Sequence, residues 1–350
     1  MSGSNRTIVE DVGGLLGHLA DVLPQLNGKT ILITGGQGFL LSYLVDLLVA
    51  HNDVSGSPCR IVVVDNMITA HEGRLSHLRG RGDVVFVSHN IAQPLAIDDP
   101  VDYAVHGASI ASPLVYRRFP LETITANVDG TRNVLDLARD RGAKGVVIMS
   151  SSEIYGDPDP AFIPTPEGYR GQVSCTGPRA CYDESKRLAE TLAMTFFRLY
   201  DLPVKIIRPF NVFGPGQRLD DGRIIPDMMR NALEGGPLVL HGDGRSTRSF
   251  CYISDATEAI VRVLLDAPAG EAFNVGNDEA EITIGDLARM IAEIAGPGVQ
   301  VEHRVSSDPN YLADNPQRRC PDLTKIRETL GWRPRVGLAD GLSRCLRSYA

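Results

Sequence analysis

Tyr182 and Lys186 stand four residues apart in CYDESKRLAETLAMTFFRLY, a stretch whose apolar spacing predicts a helix, so both side chains leave one face. A phenol beside an ammonium is an acid/base pair, because the positive charge favours phenolate and lowers the tyrosine pKa toward the working pH. Upstream, Ser150, Ser151, Ser152 and Glu153 follow the apolar run GVVIM, which puts three hydroxyls and a carboxylate at a predicted strand end. A hydroxyl there can hydrogen-bond a substrate oxygen while Tyr182 moves its proton. A tyrosine four residues before a lysine is common by chance, so the pair gains weight from a third feature. Gly35-Gly36-Gln37-Gly38-Phe39-Leu40 lies between the apolar run TILIT and a helical pattern. Glycines in such a turn let the backbone approach a pyrophosphate, and the helix that follows offers free N–H groups and a partial positive charge. Asp65 ends the next predicted strand, where a carboxylate suits ribose hydroxyls and repels a 2′-phosphate, favouring NAD over NADP.

The segments that must position these groups alternate between strand and helix. RIVVVDN, VVFVSHNI, DYAVHGAS, GVVIMSSS and VKIIRPFNVFG read as strands; ETITANVDGTRNVLDLARDRG reads as a helix, and Leu40, Leu44, Leu47 and Leu48 form the apolar face of another. The alternation predicts an α/β chain, a Rossmann-type doubly wound parallel sheet with a smaller mixed α/β substrate-binding lobe. The division expected is 1–28 as an N-terminal helical extension, 29–212 as the NAD-binding domain with later returns at about 245–277, and 213–350 as mainly the substrate lobe. In the extension, Val9, Val12, Leu15, Leu16, Leu19 and Leu23 recur at helical spacing up to about Leu26, predicting an amphipathic helix that packs on the enzyme or on a partner subunit. DPDPAFIPTPEGYRGQ reads as a surface loop.

The 350 residues, 43% hydrophobic and 22% charged, suffice for a large core. The net charge of −8 and scattered Lys and Arg leave no basic footprint for nucleic acid. Six cysteines without a CxxC pair or zinc-like Cys/His spacing read as reduced thiols, with no metal expected. The start MSGSNRTIVED does not read as a secretory signal, and residues such as Asp46 and Asp136 break the apolar runs short of a membrane span, so no membrane association and a cytoplasmic location are expected.

Taken together, TGGQGF, VVDN, HGASIASP, NVDGTRNVL, SSSEIYGDP, GPRACYDESKR, RPFNVFGP, DDGRII, GDGRSTRSFCYISD, NVGN, NPQRRCPD and LGWRP resemble the extended short-chain dehydrogenase/reductases over roughly Lys29 to Arg335. SSEIYGDP, GPRACYDESKR and PQRRCPD are most similar to the UDP-glucuronate decarboxylase branch. The resemblance implies Ser151, Glu153, Tyr182 and Lys186 as the reacting group, and NAD contacts from Gly35, Gly38, Phe39, Leu40, Asp65, Asn66, Asn90, Ile91, Ser109, Tyr182 and Lys186. It also implies a UDP-sugar held by Ser152, Asn211, Arg248, Tyr252 and Arg319, with Asn211, Arg248 and Arg319 on the nucleotide diphosphate or the sugar carboxylate, Glu153 or a water it orients protonating C5, and a homodimer paired through the helix around Tyr182. In the related 4,6-dehydratases an Asp precedes the glutamate; here Ser152, a poor general acid, takes its place, which favours loss of CO2 over loss of water. A 4,6-dehydratase, a UDP-glucuronate 4-epimerase and a catalytically silent NAD-binding regulator stay open. Three departures stand out. Leu41 replaces the third glycine of the turn and is expected to hold helix and strand apart, Asn90 replaces an aspartate at the adenine wall, and MITAHEGRL (67–75) replaces the usual turn after Asp65.

Overall fold

A computed structural model describes residues 3–69, 73–304 and 316–350. Part of the MITAHEGRL turn, residues 70–72, and the first residue of NPQRRCPD lie outside that set. The strands are β1 (Thr30–Thr34), β2 (Arg60–Asp65), β3 (Val84–Ser88), β4 (Tyr103–His106), β5 (Gly145–Met149), β6 (Val204–Pro209), β7 (Val212–Phe213), β8 (Leu238–His241), β9 (Thr247–Ser249), β10 (Cys251–Tyr252), β11 (Glu271–Val275), β12 (Glu281–Thr283), β13 (Val301–Arg304) and β14 (Arg318–Arg319). The α-helices are α1 (Gly3–His18), α2 (Phe39–Val54), α3 (Pro113–Arg118), α4 (Pro120–Asp140), α5 (Ala180–Tyr200), α6 (Ile224–Leu233), α7 (Ile253–Asp266), α8 (Ile284–Ala295), α9 (Thr324–Leu330) and α10 (Leu338–Tyr349).

Seven parallel strands form the main sheet in the order β11-β6-β5-β4-β1-β2-β3. Strand pleating splits each apolar run between two cores. Ile31 and Ile33 join α2 and α7 residues such as Leu44, Leu48, Ile260 and Val263, whereas Leu32, Val62 and Val146 join Val134 and Leu135 of α4 and Ala193 and Phe196 of α5. Burial on both faces is why these strands read as continuous apolar runs. The chain order reverses between β1 and β4, which opens a crevice beyond their carboxyl ends, the usual place for a ligand in a doubly wound sheet.

Beyond the sheet, three short pairings build the second lobe: β10 with β7, β13 with β8, and β9 flanked by β12 and β14. The return to the main sheet is narrower than the expected 245–277. It consists of α7 and β11, while β9 belongs to the second lobe. The N-terminal helix also differs from expectation. It ends at His18, and Leu23–Leu26 forms a separate 3₁₀ turn opened by Pro24, whose ring cannot donate to a continuing helix. Val9 is 65% exposed; Ile8, Val12, Leu15 and Leu19 are the buried face, packed within this chain against residues of α2, α7 and α10. Asp11 is buried in that interface and accepts hydrogen bonds from Tyr252 (2.7 Å), Tyr43 (3.3 Å) and Arg344 (2.8 Å).

Candidate active site

The crevice is a cleft of about 590 Å³ running from the glycine turn to the second lobe. At one end Gly38 caps α2 with extended backbone, leaving the first N–H groups of the helix facing the cleft wall. Gly35 has φ +73°, and a Cβ there would sit 2.6 Å from the Ala108 backbone nitrogen, so only glycine fits this close approach of β1 and β4. Leu41 does not hold the elements apart as expected. Its side chain is buried where Gly107 has no Cβ, since a Cβ on Gly107 would lie 2.4 Å from Leu41 Cδ1. The space that a third glycine would have supplied on the helix is supplied on the facing strand end.

Asp65 accepts from the backbone N–H groups of Gln37 (3.1 Å) and Met67 (2.9 Å). Burial nevertheless raises its pKa, so these donors only partly offset the lost hydration. Ser109 Oγ is buried without a protein partner among the described residues, a hydroxyl available to a ligand in the cleft. Glycine cradle, helix N-terminus, strand-end carboxylate and orphan hydroxyl together fit a dinucleotide such as NAD.

Ser151 and Tyr182 meet mid-cleft. Ser151 follows β5, its Oγ accepts from the Glu153 N–H (3.2 Å), and its hydroxyl also hydrogen-bonds Tyr182. Tyr182 lies on the first turn of α5 and stacks on Tyr116 with ring centroids 5.2 Å apart. Burial pushes the Tyr182 phenol up to about 12, against the opposing influence of Ser151 and Arg223. Lys186 Nζ donates to the Met149 carbonyl at 2.7 Å and lies 5.8 Å from the Tyr182 ring centroid. Burial pulls its ammonium down to about 8. The ammonium thus sits one helical turn away as expected, but it is burial that sets the direction at the phenol, opposed chiefly by Ser151 and Arg223.

The far end is ionic. Glu153, in the 3₁₀ turn after β5, pairs with Arg179 at the start of α5 and with Arg319 on β14. Arg319 lies beside Arg248 in the β14/β9 register. Burial acts to raise the Glu153 carboxyl, but Arg179, Arg319 and Arg248 overcome it and hold the group well below the usual carboxylate range. Arg248 in turn is lowered to about 10 by burial and by its neighbour Arg319. The nearest further acid, Asp183, is 3.8 Å from Arg179 Nε. Glu153 is the carboxylate that bonds both Arg179 and Arg319, and the Nε atoms of those two guanidinium groups are buried without a hydrogen-bond acceptor among the described residues. A carboxylate held ionised cannot serve as the acid at C5, so orienting a water is the part of that expectation left to Glu153.

Every expected cofactor residue lines the cleft, as do Ser151, Ser152, Glu153, Tyr182, Lys186, Asn211, Arg248 and Arg319. Tyr252 does not. It is fully buried behind the second lobe, where its hydroxyl is spent on Asp11. Arg179 and Tyr116 were not singled out from sequence; Arg179 precedes Tyr182 by three residues, one helical turn, which is the signal that could have found it.

Residues 31–276 match the family model described as the NAD dependent epimerase/dehydratase family. UDP-glucuronic acid decarboxylase 5 of Arabidopsis thaliana is 39% identical over 312 residues, covering 89% of this chain and 86% of that protein. UDP-glucuronic acid decarboxylase 1 of Xenopus tropicalis is 37% identical over 327 residues, 93% of this chain and 73% of that protein. Among solved structures, a dTDP-glucose 4,6-dehydratase of Streptomyces venezuelae with NAD bound superposes with a TM-score of 0.80 at 30% identity, covering 91% of this chain and 96% of that one. A UDP-glucose 4-epimerase of Thermotoga maritima with UDP-glucose gives a TM-score of 0.79 at 25% identity, covering 91% and 98%. Sequence, sheet order and the dinucleotide cradle agree: the chain belongs to the NAD-dependent epimerase/dehydratase family.

Proposed function

We propose that this protein decarboxylates UDP-glucuronate through a 4-keto intermediate, giving UDP-4-keto-xylose, UDP-xylose or both. The observation that carries the reading is the pair of guanidinium groups beside Glu153, Arg179 and Arg319, whose buried Nε atoms have no acceptor among the described residues and which line the cleft with Ser151 and Tyr182. The guanidinium fork matches the diphosphate that every UDP-sugar carries and equally a uronate carboxylate, and of the two only the carboxylate belongs to the sugar that meets Ser151 and Tyr182. The relatives that are 36–39% identical are named for this activity.

NAD held by Gly35, Gly38, Asp65, Ser109 and Lys186 would supply a hydride acceptor for oxidation at C4 and a hydride donor for the reverse. Tyr182, as phenolate, removes the proton of the 4-hydroxyl and becomes the phenol, and Ser151 hydrogen-bonds both oxygens. The C4 ketone lies beta to the C6 carboxylate, so the C5–C6 bond breaks, CO2 leaves, and the electron pair is delocalised onto the ketone oxygen. Ser151 and Tyr182 are the donors placed to stabilise that enolate. A proton then returns to C5, from a water for which the ionised Glu153 is an acceptor.

The finer expectations join this proposal. The six cysteines, unpaired, suit a reducing compartment such as the cytoplasm. No helix among the described residues is long and apolar enough to cross a membrane. For the homodimer, the support is exposed apolar side chains on two packed helices: Leu121 and Ile124 on α4, and Leu188 and Leu199, three turns apart, on α5.

The test is incubation with UDP-glucuronate, with and without added NAD, followed by mass spectrometry. Loss of one CO2 is expected, and the ratio of keto to reduced pentose reports whether the hydride returns. A mass-neutral isomer would replace the reading with epimerisation. Loss of water from a UDP- or dTDP-hexose would replace it with dehydration, and NAD binding without turnover of any sugar nucleotide would replace it with a regulator.

A further inference from the structure

Behind the redox pair lies a buried ionic group that the proposed chemistry does not use. Glu190 is one helical turn beyond Lys186 on α5 and is buried. It accepts from Ser150 Oγ at 2.5 Å and, in a two-pronged pairing, from Arg208 Nε (2.9 Å) and Nη2 (2.6 Å). Arg208 is fixed from its other side by donating to Tyr155 Oη and the Glu167 carbonyl, both at 2.8 Å. Tyr155 in turn donates to Asn274 Oδ1 at 2.8 Å. Ser150 adjoins Met149, whose carbonyl accepts from Lys186. Glu190 therefore touches the same strand end that seats the lysine and is anchored there on two sides.

Lys186 needs such a neighbour. Its ammonium is buried and its hydrogen bond goes to a neutral carbonyl, which does not compensate a charge removed from water. The titratable groups around it are Tyr182 and Glu190 on α5, His106 on β4, and Arg208 on β6 behind Glu190. Burial holds His106 uncharged, down to about 3, with Lys186 adding to the effect, and its ring is occupied by Thr34 at 2.7 Å. Tyr182 is a neutral phenol at rest, since burial opposes its ionisation, and carries charge only as the phenolate that takes the substrate proton. Glu190 is the carboxylate that acts to keep the lysine protonated.

We infer that Glu190 is a positioning residue of the redox pair: locked between Ser150 and Arg208, it keeps the Lys186 ammonium charged against the desolvation of its seat. The inference rests on the redox role proposed for Tyr182 and Lys186 and is independent of which sugar nucleotide is turned over.

The experiment is the pH profile of kcat/KM of the NAD-loaded protein. Activity requiring charged Lys186 falls as pH rises through the lysine's pKa, and removing a negative neighbour lowers that pKa. Glu190→Gln should therefore move the alkaline limb down by about one pH unit. Because that variant strands the Arg208 charge, the double variant Glu190→Gln/Arg208→Gln is measured beside it, and Glu190→Asp should recover part of the shift. A wild type inactive on UDP-glucuronate but active on another sugar nucleotide sinks the substrate reading alone, and the limb is then read with that substrate. Should none turn over, the limb is read from NAD affinity against pH. An alkaline limb unmoved in both variants, with turnover or affinity lowered by one factor at every pH, would mean that Glu190 only holds the fold, and the inference falls.

Discussion

Two carboxylates line the cleft beyond strand ends, buried Asp65 at the end of β2 and partly buried Glu153 just beyond β5, and the protein treats them oppositely. Asp65 is met by backbone N–H groups, and burial wins, raising its pKa. Glu153 is met by guanidinium groups, and charge wins, holding it low. The cofactor end is shaped by backbone and glycine, with little net charge, so what it selects is a shape. The sugar end is shaped by long ionic side chains, so what it selects is a charge. Ser151, Tyr182 and Lys186 lie where the two ends meet.

The largest expected effect separates chemistry from either kind of binding. Tyr182→Phe removes the hydroxyl that moves the proton and should lower kcat by roughly 10²–10⁴-fold, the usual contribution of a positioned acid or base. Stacking on Tyr116 is retained, so the melting temperature and the affinities for NAD and the UDP-sugar should stay near wild type. A variant that turns over at the wild-type rate would remove Tyr182 from the mechanism. One that binds neither ligand would mean the two ends are not separable at this residue.

Glu153→Ala tests the ionic end. Breaking a partly buried pair at the cleft wall leaves guanidinium groups without their carboxylate, so the protein should lose roughly 1–3 kcal/mol of stability in denaturant unfolding near neutral pH. The pH dependence has a definite sign. The folded pKa of Glu153 lies below the unfolded value, so its stabilisation is present above the ordinary carboxylate value of about 4.3 and is lost as pH falls from there toward the folded one. The gap between wild type and variant should therefore be full at neutral pH and shrink in acid. A gap independent of pH would mean that Glu153 matters through packing and not through charge.

The same contrast explains what could be read from sequence. The cofactor end is local: a glycine turn between one strand and one helix, an acid at the next strand end, and Tyr182 and Lys186 on a single helix face, all within spacings that sequence displays. The parallel, doubly wound class followed from the alternation of apolar runs, whereas the strand order came only with the structure. The ionic end is assembled from Glu153, Arg179, Arg248 and Arg319, which lie on four separate segments, and no spacing rule joins them. Arg248 and Arg319 were reached through resemblance alone. Arg179 was passed over because a lone arginine near a helix start reads as a solvated one. Tyr252 was misplaced for a related reason. Residues of β10 are invisible as lining or backing until the N-terminal helix is seen to bring Asp11 behind them.

The smallest effect probes the glycine end, where a departure from the family pattern, Leu41, meets a glycine on the facing strand end. Leu41 fills the helix position that a third glycine would have left open, and Gly107 leaves the matching gap on the facing strand end. Gly107→Ala should place a methyl group 2.4 Å from Leu41 Cδ1 and 3.4 Å from Met149 Cγ, costing about 1–3 kcal/mol as overpacking. Because Leu41 also lines the cleft, displacing it should weaken NAD binding in proportion, measured by calorimetric titration. Leu41→Ala in the Gly107→Ala background should then recover stability, giving a coupling of opposite sign to the two single losses in a double-mutant cycle. Additive losses would show that Leu41 and Gly107 do not share one space. In that case the cofactor end tolerates the missing glycine through a shift of the backbone, and shape is less strictly drawn there than charge is at the other end.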